Sequence, residues 1–236
     1  MVAESILELF DRQMRRDVAP DGIFTSDGWS AVLWPPADGD VDALVARLRA
    51  IDGYAEWKYY SHDLPADLPE RLRAAGLEPD EEEVVLVAES ASLALAVDVP
   101  AGVEVRVAST DEDIEAFVAL TDRVFGDRYG GSGFFGDRER RLAVVCFDDG
   151  EAVSGGRLDL EPGVDFAGMF GGATLPEWRG RGLYRATVAR RAELARERGY
   201  RYLYVDALPT SRPILERVGF VQITSTRPYT FGRLTA

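Results

Sequence analysis

The sequence predicts a mixed α/β (α+β) chain, in which a larger C-terminal part of strands flanked by helices follows a smaller α/β part. Three observations carry this. Strand-like and helix-like stretches alternate along the 236 residues, 46% of which are hydrophobic, enough to bury a core. Residues 142–160 read as a hairpin turned at Asp148-Asp149-Gly150. The stretch Gly172-Ala173-Thr174-Leu175-Pro176-Glu177-Trp178-Arg179-Gly180-Arg181-Gly182-Leu183-Tyr184-Arg185 reads as a strand end, a turn, a glycine-bearing loop and the first turn of a helix.

In chain order, Glu4 to Arg16 places Ile6, Leu7, Leu9, Phe10 and Met14 on one side of an amphipathic helix. Asp21-Gly22 and Asp27-Gly28 mark turns, and Trp29 to Trp34 is a strand stopped by Pro35-Pro36. Val41 to Ile51 returns to helical spacing behind Asp40, a suitable N-cap. A strand at Glu56–Tyr60, a helix at Leu68–Ala75 ended by Gly76-Leu77, and a strand at Glu83–Ala88 follow. Ala88 to Pro100 reads as a linker, which gives two domains, 1–97 and 101–236.

In the second part, Val103–Val107 alternates like a half-exposed strand, and Ser109 or Thr110 caps a helix over Asp111–Phe125 whose first-turn acids suit its dipole. Gly126 to Gly136, with five glycines beside Tyr129, Phe134 and Phe135, is expected to be a mobile loop. Strands at Leu142–Phe147 and Ala152–Leu160 form the hairpin, and a long strand, Val164–Thr174, delivers the glycine loop. Pro176 closes that strand, because proline cannot donate to a ladder. From Leu183 the pattern is helical until Gly199; Tyr202–Val205 is a strand, and Ile214 to Phe220 a short helix ending in Gly219-Phe220.

Composition excludes several functions. The net charge of −14 argues against non-specific binding to nucleic acid or an anionic membrane. One cysteine, Cys146, allows no internal disulfide, and with one histidine, His62, too few soft ligands remain for a zinc site. No apolar run approaches the about 20 residues of a membrane helix. Acids stand where a signal peptide needs a basic start, so the protein is expected in the cytoplasm, as a monomer or homodimer. The charge is uneven: residues 1–100 hold 21 acids and 8 bases, residues 101–236 hold 20 and 19. Arg179 to Arg201 alone carries eight arginines against Glu193 and Glu197.

A helix that begins directly after a glycine loop aims several unpaired N–H groups, and the positive end of its dipole, at one spot, which favours a phosphate or pyrophosphate. The order of elements and this loop resemble the GNAT (Gcn5-related) N-acetyltransferases. Their signature, Arg/Gln-x-x-Gly-x-Gly/Ala, holds the pyrophosphate of acetyl-CoA. Arg179-Gly180-Arg181-Gly182-Leu183-Tyr184 matches it at the first and fourth positions and departs at the last, where Tyr184 replaces a small residue. The resemblance covers about Val103 to the C-terminus and implies a mixed, mostly antiparallel sheet flanked by helices. The strand, helix, Gly-apolar, strand order of the first part repeats that of Tyr202 to Tyr229, so residues 1–97 are either a degenerate half copy of the same fold or an unrelated α/β cap.

The resemblance implies acetyl-CoA as co-substrate and an amine of a small molecule or peptide as acceptor, attacking the thioester directly. It implies cofactor contacts from Gly172, Ala173, Thr174, Arg179, Gly180, Arg181, Gly182, Leu183, Tyr184 and Arg185, and places part of the acceptor site in the loop after Phe125. Three family residues are missing: the tyrosine that protonates the leaving thiolate is Leu215, an asparagine is Leu208, and a glutamate on the fourth strand falls near Gly171. Asp206, at a strand end, is the leading candidate base, ahead of Asp159, Glu161 and Asp165; Tyr204, like Tyr184, offers a hydroxyl. A CoA-binding module without catalysis is the competing reading, and no metal is expected. Cys146 reads as core, His62 as a surface or capping residue, and a P-loop is excluded by the missing Gly-Lys-Ser/Thr.

Overall fold

The computed structural model describes residues 4–26, 29–35, 40–93, 97–126, 135 and 137–231. The chain divides into two packing units that interleave along the sequence. The first is Met1–Leu86, Asp206–Arg212 and Gln222–Ala236; the second is Val87–Val205 and Pro213–Val221.

In the first unit, Ser5 opens helix α1 (Ile6–Phe10) with a capping box: its hydroxyl accepts from the Glu8 N–H at 3.2 Å, and its own N–H donates to Glu8 Oε2 at 2.8 Å. The expected single helix does not continue. Asp11–Arg16 widens into a π-helix. This turn carries Arg15, a residue the amphipathic pattern leaves outside, into a fully buried position. There it donates to Leu33 O at 3.0 Å and to Asp11 at 2.6 Å, pairs with Asp63, and lies 3.6 Å from the Tyr60 ring centroid. His62, exposed at the surface as expected, joins the same network, its Nδ1 2.9 Å from Thr224 Oγ1 and its Nε2 2.8 Å from Asp11.

Strand β1 (Phe24–Ser26) pairs antiparallel with β2 (Trp29–Val32), and β2 pairs parallel with β3 (Tyr54–Tyr60). A parallel pair needs a crossover, here helix α2 (Val41–Arg49), capped by the Asp40 carboxylate at 3.0 and 3.2 Å from two N–H groups. Helix α3 (Leu68–Ala74) and the two-residue strand β4 (Glu78–Pro79) follow, and β5 (Glu83–Glu89) crosses the boundary between the units. Alternation on β3 turns Trp57 and Tyr59 toward the helices, where Trp57 meets Leu44, Leu48, Leu68 and Leu72. The C-terminal strand β11 (Val221–Thr230) pairs antiparallel with both β3 and β4.

In the second unit, β6 (Val103–Val107), β7 (Arg141–Asp148), β8 (Glu151–Leu160) and β9 (Phe166–Thr174) form an antiparallel succession, and β9 pairs parallel with β10 (Tyr202–Ala207). Helix α4 (Asp111–Phe125), capped by Thr110, covers one face through Ile114, Phe117 and Leu120. Helix α5 (Leu183–Glu197) covers the other and supplies the crossover to β10. The expected loop 126–136 lies largely outside the described residues. Of it Phe135 is buried, edge-on to Phe117 at 5.8 Å.

Near the start of the expected linker, the Ser90 N–H donates to Arg201 O at 2.9 Å and its hydroxyl to Tyr200 O at 2.7 Å. Helix α6 (Arg212–Arg217) ends as α3 does. Gly219 (φ 109°) lets the Phe220 N–H reach Leu215 O at 3.1 Å, and Gly76 (φ 85°) lets the Leu77 N–H reach Leu72 O at 3.0 Å. The fold is mixed α/β with mostly antiparallel pairings and flanking helices, as the sequence predicts.

Candidate active site

The ladder between β9 and β10 runs Phe166–Tyr202, Ala167–Leu203, Gly168–Tyr204 and goes no further. Gly168 is its last paired residue on β9. A Cβ there would lie 2.5 Å from the Phe170 ring, which folds back across it to meet Tyr204 edge-on at 5.6 Å between centroids. The free part of β9 is the part that delivers the glycine loop.

On its other edge β9 carries a bulge. Gly155 faces Ala173 and Arg157 faces Phe170, so Gly171 and Gly172 together oppose Gly156. Gly171 has φ 59°, the left-handed region that admits the extra residue. Gly172 is exposed, while Ala173 is buried with its carbonyl accepting from Ser154 Oγ at 3.0 Å. Thr174 Oγ1 meets the same hydroxyl at 2.8 Å, and its carbonyl accepts from Arg179 Nε at 3.3 Å.

Pro176–Trp178 forms one 3-10 turn, after which Gly180 (φ 76°) and Gly182 (φ 84°) turn the chain into α5. Gly182 is the N-cap, so no side chain caps the first N–H groups, and no acid stands in the first turn. Space at Gly180 is open to 4 Å, whereas a Cβ on Gly182 would lie 3.3 Å from Asp98 O. Arg181 stacks on Trp178, its guanidinium carbon 4.6 Å from the ring centroid. Arg179, Arg181 and Arg185 are exposed and have no carboxylate partner among the described residues. Uncapped N–H groups, a helix dipole and three cations without a carboxylate partner are an arrangement that favours an anion.

Tyr184, the departure from the signature, does not fill the loop. Its ring turns back onto β9, where a Cβ on Gly172 would meet it at 2.7 Å. Beneath it lies Arg191, 1% exposed, which sequence reasoning missed. The available signal was the paired glycines Gly155-Gly156 and Gly171-Gly172 inside two apolar strands, since glycine in a strand marks a bulge or a close approach. The ten predicted binding residues come together here.

Tyr204 stands at the far side of Gly168 with its ring against Phe166 and Phe170. Asp206 belongs to the first unit, where it pairs with Lys58; its Oδ2 takes the ammonium and its buried Oδ1 has no partner. Asp159 is paired with Arg157 at 2.7 Å. Leu215 is fully buried. Burial pushes the Cys146 thiol up to about 12, so it is an inert core residue. Among the described residues no cluster of three His, Cys, Asp or Glu fits a metal ion, and no helix is long and apolar enough to cross a membrane.

Residues 108–220 match the model of the Acetyltransferase (GNAT) family. They form a GNAT domain. Solved structures agree on the fold. A GCN5-related N-acetyltransferase from Kribbella flavida superposes with a TM-score of 0.68 at 20% identity, covering 90% of this chain and 86% of that one. A putative acetyltransferase of the GNAT family from Novosphingobium aromaticivorans gives 0.59 at 16%, covering 94% of each. A tandem GNAT protein from the clavulanic acid biosynthesis pathway gives 0.57 at 14%, covering 87% of this chain and 76% of that one. No curated protein sequence matches. The GNAT domain spans the glycine loop, the bulge and β10, so the predicted loop residues all fall inside it.

Proposed function

We propose that the chain is an acetyl-CoA-dependent N-acetyltransferase, whose acceptor is a primary amine of a small molecule or peptide that attacks the thioester while both substrates are bound. The observation that carries this reading is the glycine loop at the uncapped start of α5, ringed by Arg179, Arg181 and Arg185. The pyrophosphate takes the N–H groups from Gly180 to Arg185, with the arginines nearby. The pantetheine arm lies along the unpaired end of β9, at Gly172 to Thr174, as an added strand. The site then supplies proximity and a polarised carbonyl. Asp206 and Tyr204 are the candidates for moving the amine proton, Asp206 through its unpartnered Oδ1.

By sequence, the transferase domain is 101–236, and 1–97 is an α/β part of the degenerate-copy kind; the shared helix ends at Gly76-Leu77 and Gly219-Phe220 support that. On this reading the protein is cytoplasmic, a monomer or homodimer, and needs no metal, nucleic acid or membrane.

One observation favours a second reading, a CoA-binding module without catalysis: Leu215 and Leu208 stand where relatives carry a tyrosine and an asparagine. Thiol release from acetyl-CoA, measured with a panel of amines, separates the two. Amine-dependent release supports the transferase; CoA binding without release supports the module.

A further inference from the structure

On the face of β3 turned away from α2 and α3, alternation places Tyr54, Glu56, Lys58 and Tyr60. From there the Lys58 ammonium reaches Asp206 Oδ2. Both residues belong to the first unit, where the strands follow in the order β3, β11, β5, β10. The pair therefore passes over β11 and β5, and β5 carries Glu83. The strip so formed holds three carboxylates, Glu56, Glu83 and Asp206, against one ammonium. Glu56 is 5% exposed and accepts from the Tyr54 hydroxyl at 2.8 Å. The Asp206 side chain is 6% exposed, and its Oδ1 is buried with no partner among the described residues. Since Oδ2 is on Lys58, Oδ1 lies at the tip of the Lys58 chain, inside the strip. A buried acceptor with no donor is costly and calls for a reason.

We propose that this strip binds a cationic nitrogen of the acceptor, a second one besides the amine that is acetylated, so that the acceptor is a diamine, a polyamine or another amine with a basic tail. The inference rests on the acetyltransferase reading. The amine that attacks the thioester needs its lone pair and is uncharged at that moment. Carboxylates therefore recognise a different nitrogen, one that keeps its charge. An ammonium carries only N–H donors, which is what Asp206 Oδ1 lacks. Among the described residues no three of these acids are spaced to hold a metal ion, whereas an ammonium needs fewer acceptors. Asp206 stands two residues past Tyr204, the last residue of β10 that pairs with β9. A carboxylate that holds the tail is not free to take the amine proton, so of the two candidates for that step Tyr204 remains.

The charges around the strip leave room for a cation. Burial raises the Glu83 carboxyl to about 8; Lys58 opposes that rise, and Asp206, Glu56 and Asp80 add to it. Burial likewise raises Glu56. Burial works against the Lys58 charge, and the Asp206 carboxylate more than restores it. Arg15, the cation over the Tyr60 ring, is paired with Asp11 and Asp63. At neutral pH Glu83 thus keeps a proton that an incoming cation would displace. Tyr54 is 40% exposed, so the strip opens to solvent at its end.

The test uses the full chain and straight-chain diamines, each beside the amino alcohol of the same length, which has one amine and no charged tail. In acetyl transfer the best diamine should exceed its amino alcohol about tenfold or more in kcat/KM, since a charged hydrogen bond is at stake. Asp206→Asn should collapse that ratio, and Glu56→Gln should lower it. An equal loss with both substrates would mean that Asp206 moves the proton and holds no tail, which overturns the site.

The second measurement needs no activity: calorimetric titration of the diamine at neutral pH, with CoA present, in buffers of different ionisation enthalpy. The parent should bind the diamine more tightly than the amino alcohol and release a proton, and Glu83→Gln should abolish the release. Diamine binding that releases no proton would put the cation elsewhere and overturn the site. Transfer to both substrates at equal kcat/KM would also overturn it, while leaving the acetyltransferase reading intact. Diamine binding with proton release but transfer to no amine would support the cation site and remove the acetyltransferase reading. Should Asp206→Asn not fold, Glu56→Gln and the titrations of the parent still decide.

Discussion

Replacing Gly182 by alanine probes the proposed anion site at its tightest point. With φ 84° and ψ −7° the residue is left-handed, a conformation that costs a residue bearing a Cβ about 1–2 kcal/mol. The new Cβ would also sit 3.3 Å from Asp98 O and 3.5 Å from Val97 Cγ1, close enough that one side must give by a few tenths of an ångström. Relief of that strain re-aims the N–H groups of Leu183, Tyr184 and Arg185, which nothing else caps. Loss of one charge-assisted hydrogen bond costs about 1.5–3 kcal/mol, so the Kd for CoA should rise at least tenfold. Gly180→Ala is the control: it meets the same backbone penalty at φ 76° but open space, and should weaken binding less. Calorimetric titration with CoA, beside thermal melts to confirm folding, measures both. A folded Gly182→Ala variant that binds CoA as tightly as the parent would refute the pyrophosphate assignment.

Three further outcomes are expected. Arg181→Ala and Arg185→Ala should each weaken CoA binding several-fold at low salt and flatten its dependence on ionic strength; parent-like affinity in both would move the phosphates elsewhere. Burial, only partly offset by Lys58, raises the Glu83 carboxyl from 4.5 to about 8. A folded-state pKa above the unfolded one makes the native state bind more protons, so stability falls as pH rises from about 4.5 to 8 and then levels. Glu83→Gln should flatten that fall in melting temperature, and an unchanged slope would show that Glu83 is not its source. Arg15→Met strands Asp63 in the core and should cost about 3–5 kcal/mol in urea unfolding; a loss below 1 kcal/mol would mean the network relaxes.

Much of the fold was legible because it rests on local pattern. Alternation marked β6, the Asp148-Asp149-Gly150 turn marked the hairpin of β7 and β8, Thr110 and three first-turn acids marked α4 with both its ends, and Pro176 with two glycines marked the turn into α5. The glycine loop, on which the proposed site rests, was legible for the same reason: its residues are contiguous. What was not legible depends on distant contacts. Nothing in Asp11–Arg16 announces a π-helix, because the π turn is stabilised by Leu33, Asp63 and Tyr60, all far along the chain. Arg191 looked like one more cation on a basic helix. It is buried because Gly156, on another strand, leaves it room. The pairing of Asp206 with Lys58 spans 148 residues and leaves no trace in local spacing.

The most direct test of the account is a crystal of the protein soaked with acetyl-CoA. The account predicts electron density for the pyrophosphate on the N–H groups between Gly180 and Arg185, and for the pantetheine arm along Gly172 to Thr174. Acetyl-CoA seated away from the glycine loop, with the start of α5 facing only solvent, would contradict it.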